Sequence, residues 1–331
     1  MRHRLLTSGL VGAAALALVA GCGGPSTDPG PSTAAAPPGD ARSTRAPSGD
    51  ARSAAAASGD RGTSGDRSAV PPVRLSPTDP GPQGRVPQFV VECGFSHAAA
   101  DDPIVAPGHS GHSHEHVFFG NTSTSADSTA EDLSRGGTTC DQHRDLASYW
   151  APALYDHGEL VTPRGAVAYY RPGVGIDPAT VEPYPYGLKV VGGDPDAARP
   201  QSLDVVAWSC GTGSARAASP PTCPEGRPLR MAVSFPDCWD GERVDSPDHA
   251  GHMARSAGGA CPASHPVPVP QLLLAISYPV SGDGHDLSLA SGPLSTGHAD
   301  FFNAWDEAKL RTEVEACIRR RLTCGVASSR T

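Results

Sequence analysis

From about residue 87 to residue 278 the chain is written in short apolar runs cut off by proline or glycine. Such runs appear at residues 87–93, 166–170, 188–191, 205–208, 229–235 and 272–278, rich in valine, isoleucine, leucine and tyrosine. Their length and their breakers predict strands, and the irregular spacing between them predicts a sandwich-like or distorted antiparallel sheet. Residues 147–154 read as a short helix or turn interrupted by Pro152. A stronger helical signal begins near Ala299 or Asn303 and ends at Leu322. Leu310, Val314, Cys317 or Ile318, and Leu322 recur there every three or four positions as one apolar stripe, and Gly325 follows as a stop. This helix is expected to pack on the sheet. The fold class is therefore α+β, mainly β, with a C-terminal helix.

Upstream the pattern changes. Arg2, His3 and Arg4 precede an apolar run from Leu10 to Ala20, which suits a signal h-region and is short for a membrane span. Val19-Ala20-Gly21-Cys22 resembles the bacterial lipobox, so residues 1–21 read as a lipoprotein signal peptide and Cys22 as the lipidated anchor. Diacylation there would hold the chain stably on a membrane. Residues 22–86 are poor in large apolar side chains and repeat Gly-Asp-Ala-Arg-Ser loosely at Gly39 and Gly49. They read as a disordered tether. The globular domain is placed at residues 87–325 and a tail at 326–331.

Composition adds two constraints. The net charge is −9 with histidines neutral, and Arg319-Arg320-Arg321 is one short basic cluster, so nucleic acid is not an expected partner. Of nine cysteines, removing Cys22 leaves an even set: Cys93, Cys140, Cys210, Cys223, Cys238, Cys261, Cys317 and Cys324. With no CxxC pair present, disulfides in an exported domain are favoured over a cysteine metal site. Spacing leaves the connectivity open, although local pairs such as Cys238–Cys261 and Cys317–Cys324 are natural choices.

Histidine carries the candidate chemistry. Thirteen occur, the densest group being His109, His112, His114 and His116 around Glu115. His249 and His252 form a second group, His298 with Asp300 a third, and His265 stands alone near Cys261. On a strand, residues two apart share a face, so His112, His114 and His116 could line one side. Imidazoles with a carboxylate can hold a divalent transition metal with an open position, or work as acid and base without one. The competing reading makes them hydrogen-bonding struts between loops. Taken alone, His109, His112, His143, His157 and His285 fit structure or solvent better. The aromatics Trp150, Tyr170 and Trp239 suit sugar recognition beside polar groups, or core packing. Asp237 and Asp240 could pair for glycoside hydrolysis, but their tight loop at Cys238 fits bracing better. GxSxG, Gly-rich phosphate-loop and HExxH motifs are absent from the sequence.

Several of these segments, taken in order, resemble the family known as domain of unknown function 1996, found in actinobacteria and fungi. They are Asp102-Pro103-Ile104-Val105-Ala106-Pro107-Gly108, then Ser113-His114-Glu115-His116-Val117-Phe118-Phe119-Gly120-Asn121, then Ala147-Ser148-Tyr149-Trp150-Ala151-Pro152-Ala153-Leu154. Tyr169-Tyr170-Arg171-Pro172, Phe235-Pro236-Asp237-Cys238-Trp239-Asp240-Gly241 and Asp248-His249-Ala250-Gly251-His252-Met253 follow. Cys261-Pro262, His265-Pro266 and His298-Ala299-Asp300-Phe301-Phe302-Asn303-Ala304-Trp305 complete it. The resemblance implies an extracellular or wall-associated protein in glycan-rich surroundings. It narrows the histidines to His114, His116, His249, His252, His265 and His298.

The resulting expectation is a surface lipoprotein acting on a cell-envelope glycan. Its site would combine His114, His116, His252, His298 and Asp300, with His114, His116 and His298 as ligands of a divalent metal. Trp150, Tyr170 and Trp239 would be substrate contacts. The membrane, through the lipid, and cell-wall polysaccharide are the expected partners. The alternative is a non-catalytic module binding wall glycan or a protein.

Overall fold

The computed structural model describes residues 73–74 and 86–325, all within one compact unit spanning residues 61–331. The signal segment, Cys22, most of the tether and the 326–331 tail lie outside the described residues. Within the expected tether, Val73–Arg74 forms a two-residue strand paired antiparallel with Leu322 and Thr323.

Two sheets make the sandwich. The first has seven strands in the order Val73–Arg74, Leu322–Cys324, Gln88–Cys93, Gly165–Arg171, Gln271–Tyr278, Leu229–Ser234 and Val206–Cys210. All pair antiparallel except Leu322–Cys324 with Gln88–Cys93, which run parallel. The second has five antiparallel strands in the order Phe95–Ala99, His116–Gly120, Ser148–Pro152, His298–Phe302 and Lys189–Gly193. Two small three-stranded sheets complete the domain.

The inner faces meet in one core. Phe89, Val91, Ala166, Ala168, Tyr170, Leu272, Leu274 and Met231 from the first sheet pack with Val117, Phe119, Tyr149, Ala151, Ala299 and Phe301 from the second. Phe89 stacks on Tyr170 with ring centroids 4.5 Å apart, and Trp305 meets Tyr170 edge-on at 6.0 Å. Burying each such ring stabilises the fold by roughly 1.5–3 kcal/mol. The polar tips are satisfied among themselves. Trp305 Nε1 donates to the Tyr170 hydroxyl at 3.1 Å, the Tyr149 and Tyr170 hydroxyls are bonded, and Tyr149 donates to Asp145 Oδ2 at 2.6 Å. Burial raises the Asp145 carboxyl to about 8, against the opposing hydrogen bonds from Tyr149 and Ala147.

The expected strands at 87–93, 166–170, 188–191, 205–208, 229–235 and 272–278 are present within a residue or two at each end. Two expectations need correction. Residues 147–154 are a strand, Ser148–Pro152, rather than a helix or turn. Every residue in it is buried, because the second sheet is covered on both faces, so the alternation that marks a strand is missing from its sequence. The terminal helix starts later than expected. His298–Phe302 is an interior strand beside the central Ser148–Pro152, and the helix Glu307–Glu313 begins after Asp306, whose side chain accepts from the Lys309 amide. The helix continues as the π-helical segment Val314–Arg319. Leu310, Val314, Cys317 and Ile318 are its buried stripe.

Four disulfides join Cys93 to Cys140, Cys210 to Cys223, Cys238 to Cys261 and Cys317 to Cys324. All eight domain cysteines are used, and both local pairs anticipated from spacing are among them. Among the described residues no helix is long and apolar enough to cross a membrane.

Candidate functional site

The site grows from the outer face of the five-stranded sheet. Val117, Phe119, Tyr149, Ala299 and Phe301 point into the main core, so their neighbours one residue away point outward. These are His116, Phe118, Trp150, His298, Asp300 and Phe302. Register aligns them, with Phe118 opposite Trp150 and Trp150 opposite Asp300. This face is not left to solvent. Ile104 and Leu133 cover it and form a second, smaller core with Phe118, Trp150, Phe302 and Ala304. The polar residues on it are therefore buried: His116 is 0% exposed, Asp300 1% and His298 3%.

His114 reaches the same spot from the loop before the strand. Only His116 of the dense histidine run is in a strand, so the expected one-sided array of His112, His114 and His116 does not form. His114 and His116 nevertheless lie with ring centroids 4.2 Å apart, and His298 stands 5.1 Å from His114 and 6.0 Å from His116. One ring nitrogen from each of the three lies within 4.8 Å of the others.

Hydrogen bonds decide which nitrogens are free. His116 Nδ1 is 3.0 Å from the Asp101 carbonyl oxygen, and His298 Nδ1 is 2.8 Å from that of Thr296. A carbonyl oxygen only accepts, so in both rings Nδ1 carries the proton. The neutral ring then presents a lone pair at Nε2. Nε2 of His114 and of His116 is buried with no hydrogen-bond partner. Buried polar atoms are normally paired, so these two are exceptions to the rule. The arrangement also matches the habit of metal-ligating histidines, which donate the other ring N–H to a carbonyl or carboxylate.

The carboxyls complete the picture. Asp300 Oδ2 is buried without a partner and lies 3.9 Å from His298 Nε2. Burial, with the neighbouring Asp102 charge, holds Asp300 well above the usual carboxylate range. Burial also raises Asp102, against the opposing amides of Val105 and Ile104. The imidazoles shift the other way. Burial lowers all three, His298 to about 4 and His116 well below its ordinary value, with the charge of His114 as a further cause for both and that of His298 as one more for His116. Asp102, His116 and Asp300 also cluster within 4.8 Å.

Gly193 makes room for His298. It stands opposite His298 in the register with φ +86°, and a Cβ there would lie 2.8 Å from the Gly297 carbonyl oxygen. Only glycine takes that conformation at no steric cost.

The remaining expected residues fall elsewhere. His252 is fully buried, but Nδ1 meets the Ser246 hydroxyl at 2.9 Å and Nε2 meets the Lys189 carbonyl at 2.6 Å. Lys189 pairs with Phe302, at the far end of the strand from His298, so His252 is a strut with both nitrogens engaged. Trp150 is on the site's face but fully covered, and Tyr170 is in the main core. Neither has a ring face open to a sugar. Trp239 donates its indole N–H to the Arg243 carbonyl at 2.6 Å in one of the small sheets. Asp237 accepts from the Ser256 amide and hydroxyl, and Asp240 from the Glu242 and Arg243 amides and the Arg243 guanidinium, so both brace loops. Asp101 and Asp102 are not among the expected site residues, although Asp102 opens the first segment that resembles the family. Their Asp-Asp-Pro spelling reads as a turn, and no spacing signal ties them to His116.

These features define a disulfide-stapled β-sandwich domain with a buried three-histidine cluster on one outer face. Residues 102–305 match the family model described as Domain of unknown function (DUF1996), and the chain belongs to that family. No curated protein and no solved structure matches the chain.

Proposed function

We propose that this domain is a divalent-metal protein of the cell envelope that acts on a glycan, with His114, His116 and His298 as the metal ligands. One observation carries the reading: three imidazoles from two distant segments bring one ring nitrogen each within 4.8 Å of the others, two of them with Nδ1 held by backbone carbonyls. Three nitrogen ligands with an open fourth position are the pattern of catalytic zinc sites. Tetrahedral zinc needs its nitrogens about 3.3 Å apart, so the three rings would draw together around a bound ion, His114 being the least buried of them. A cation held there would supply Lewis acidity and an activated water. Asp300 would stand beside that water as its proton partner.

The location is part of the proposal. Four disulfides fit an oxidising compartment, and the lipobox-like ending at Cys22 supports a lipid anchor outside the cytoplasmic membrane.

Near-complete burial of His116, His298 and Asp300 favours a second reading, a structural metal in a non-catalytic wall-binding module. The test begins with elemental analysis of protein purified without a histidine tag. The proposal expects about one transition metal per chain, lost in His114→Ala, and soluble saccharide released from isolated cell wall until chelator is added. Saturable wall binding with no product, unchanged by chelator, supports the second reading. Absence of metal from wild-type protein after incubation with zinc overturns both metal readings.

A further inference from the structure

The dense histidine run contains a second pair that the buried cluster leaves unused. His109 and His112 are both exposed, and their rings stand edge to face with centroids 5.9 Å apart. Two imidazoles on one tetrahedral zinc have ring centres about 5 Å apart, close to the spacing of this pair. His109 Nδ1 is 2.8 Å from the Pro107 carbonyl oxygen, so Nδ1 carries the proton and Nε2 presents its lone pair. His116 and His298 are set in the same way, which is the habit of metal-ligating histidines. The His112 ring makes no hydrogen bond among the described residues, so neither of its nitrogens is committed.

The turn that carries the pair is pinned along its length. The Gly108 amide donates to the Ala126 carbonyl at 2.8 Å, His109 to Ala106 at 3.1 Å, His112 to His109 at 3.2 Å and Ser113 to Ala100 at 3.3 Å. One oxygen of the Asp101 carboxylate accepts from the Ser110 hydroxyl at 2.8 Å and from the Gly111 amide at 3.0 Å. A backbone fixed this way loses little freedom when its side chains close on an ion. A carboxylate borders the turn, since Asp127 Oδ1 lies 3.8 Å from where a Cβ on Gly108 would stand. The net charge of −9 also draws cations toward the chain.

We propose that His109 and His112 form a second, solvent-facing site for a divalent transition cation such as zinc. Nε2 of His109 and one ring nitrogen of His112 bind the ion, and water fills its remaining positions. Two protein ligands hold it more weakly than three. The site stands independently of the metal reading of the buried cluster, because His114, His116 and His298 take no part in it.

Calorimetric titration of the full chain with zinc chloride tests it. A binding event is expected that persists in His114→Ala, so failure of the buried site leaves this result standing. The same event is expected to weaken at least tenfold in His109→Gln and in His112→Gln, with little further loss in the double variant, because a chelating pair fails when either member goes. Both side chains are exposed, so the melting temperature without metal is expected to stay at the wild-type value. A second measurement reads the residues directly. Zinc is expected to protect His109 and His112 together from diethyl pyrocarbonate, followed by mass spectrometry, while the exposed His143 stays reactive. An isotherm unchanged by either glutamine, small losses that simply add as they do for unrelated surface histidines, or equal labelling of the pair with and without zinc overturns the proposal.

Discussion

His298 meets His114 edge to face, ring centroids 5.1 Å apart, across the covered outer face of the five-stranded sheet. His298 is fixed by its strand and by the Thr296 carbonyl, whereas His114 sits on a loop and is half-buried. The two should therefore respond differently to removal. His114→Ala is expected to lower zinc affinity by at least 100-fold while the metal-free melting temperature stays within a few degrees. His298→Ala leaves a cavity and strands the Thr296 carbonyl, at a cost of about 2–4 kcal/mol in the metal-free protein. Competition with a chromophoric chelator and thermal melts measure the two quantities. Equal destabilisation by both substitutions would make His114 a strut.

The Asp145 carboxyl supplies a pH signature away from the histidines. Unfolded, it releases its proton near pH 3.9; folded, burial holds the proton to about 8. Between those values the native state binds the proton that the unfolded chain has lost. This group's contribution to stability therefore falls as pH rises through that window, by up to about 1.4 kcal/mol per pH unit, and is level above it. Asp145→Asn keeps the shape and removes the titration. Its melting temperature relative to wild type is expected to rise steadily from pH 5 to pH 8. Parallel curves for the two proteins would show that Asp145 ionises normally in the fold.

How much was legible depended on burial. The runs at 166–170, 229–235 and 272–278 show as strands because their valines, leucines and tyrosines are concentrated between breakers. Ser148–Pro152 and His298–Phe302 are buried on both faces, so the alternation that identifies a half-exposed strand is absent from both. The meeting of His114 and His116 with His298 could not be read from spacing, since it depends on the register of Ser148–Pro152 between their two strands. Chain order within matching family segments pointed to these histidines, and it pointed equally to His252. Only the Ser246 and Lys189 contacts separate a strut from a candidate ligand.

The Cys238–Cys261 disulfide closes the loop that holds Asp240 and His252. With a sequence separation of 23, the loop-entropy estimate for losing it is about 3 kcal/mol. The double variant Cys238→Ser, Cys261→Ser is expected to lose about that much in denaturant melts and to bind zinc as the wild type does, because no metal ligand lies in that loop. Loss of zinc binding at a temperature where the variant is still folded would tie this loop to the histidine site.

Gly193 tests how tightly the sheet itself sets the site. Alanine there must either keep a φ of +86° or swing its strand away from His298, since its Cβ would lie 2.8 Å from the Gly297 carbonyl oxygen and 3.0 Å from His298 Cα. Those atoms are backbone and cannot rotate aside. The strain is expected to cost about 1–3 kcal/mol, and any relief moves the strand that places His298 Nε2. Gly193→Ala should therefore lower both the melting temperature and the zinc affinity. Gly158→Ala serves as the comparison: its φ of +80° is also left-handed, but a Cβ there meets nothing within 4 Å. It should lower the melting temperature through backbone strain alone and leave zinc binding unchanged. Equal loss of zinc affinity in the two variants would mean that general destabilisation, and not the fit of Gly193 against His298, controls the site.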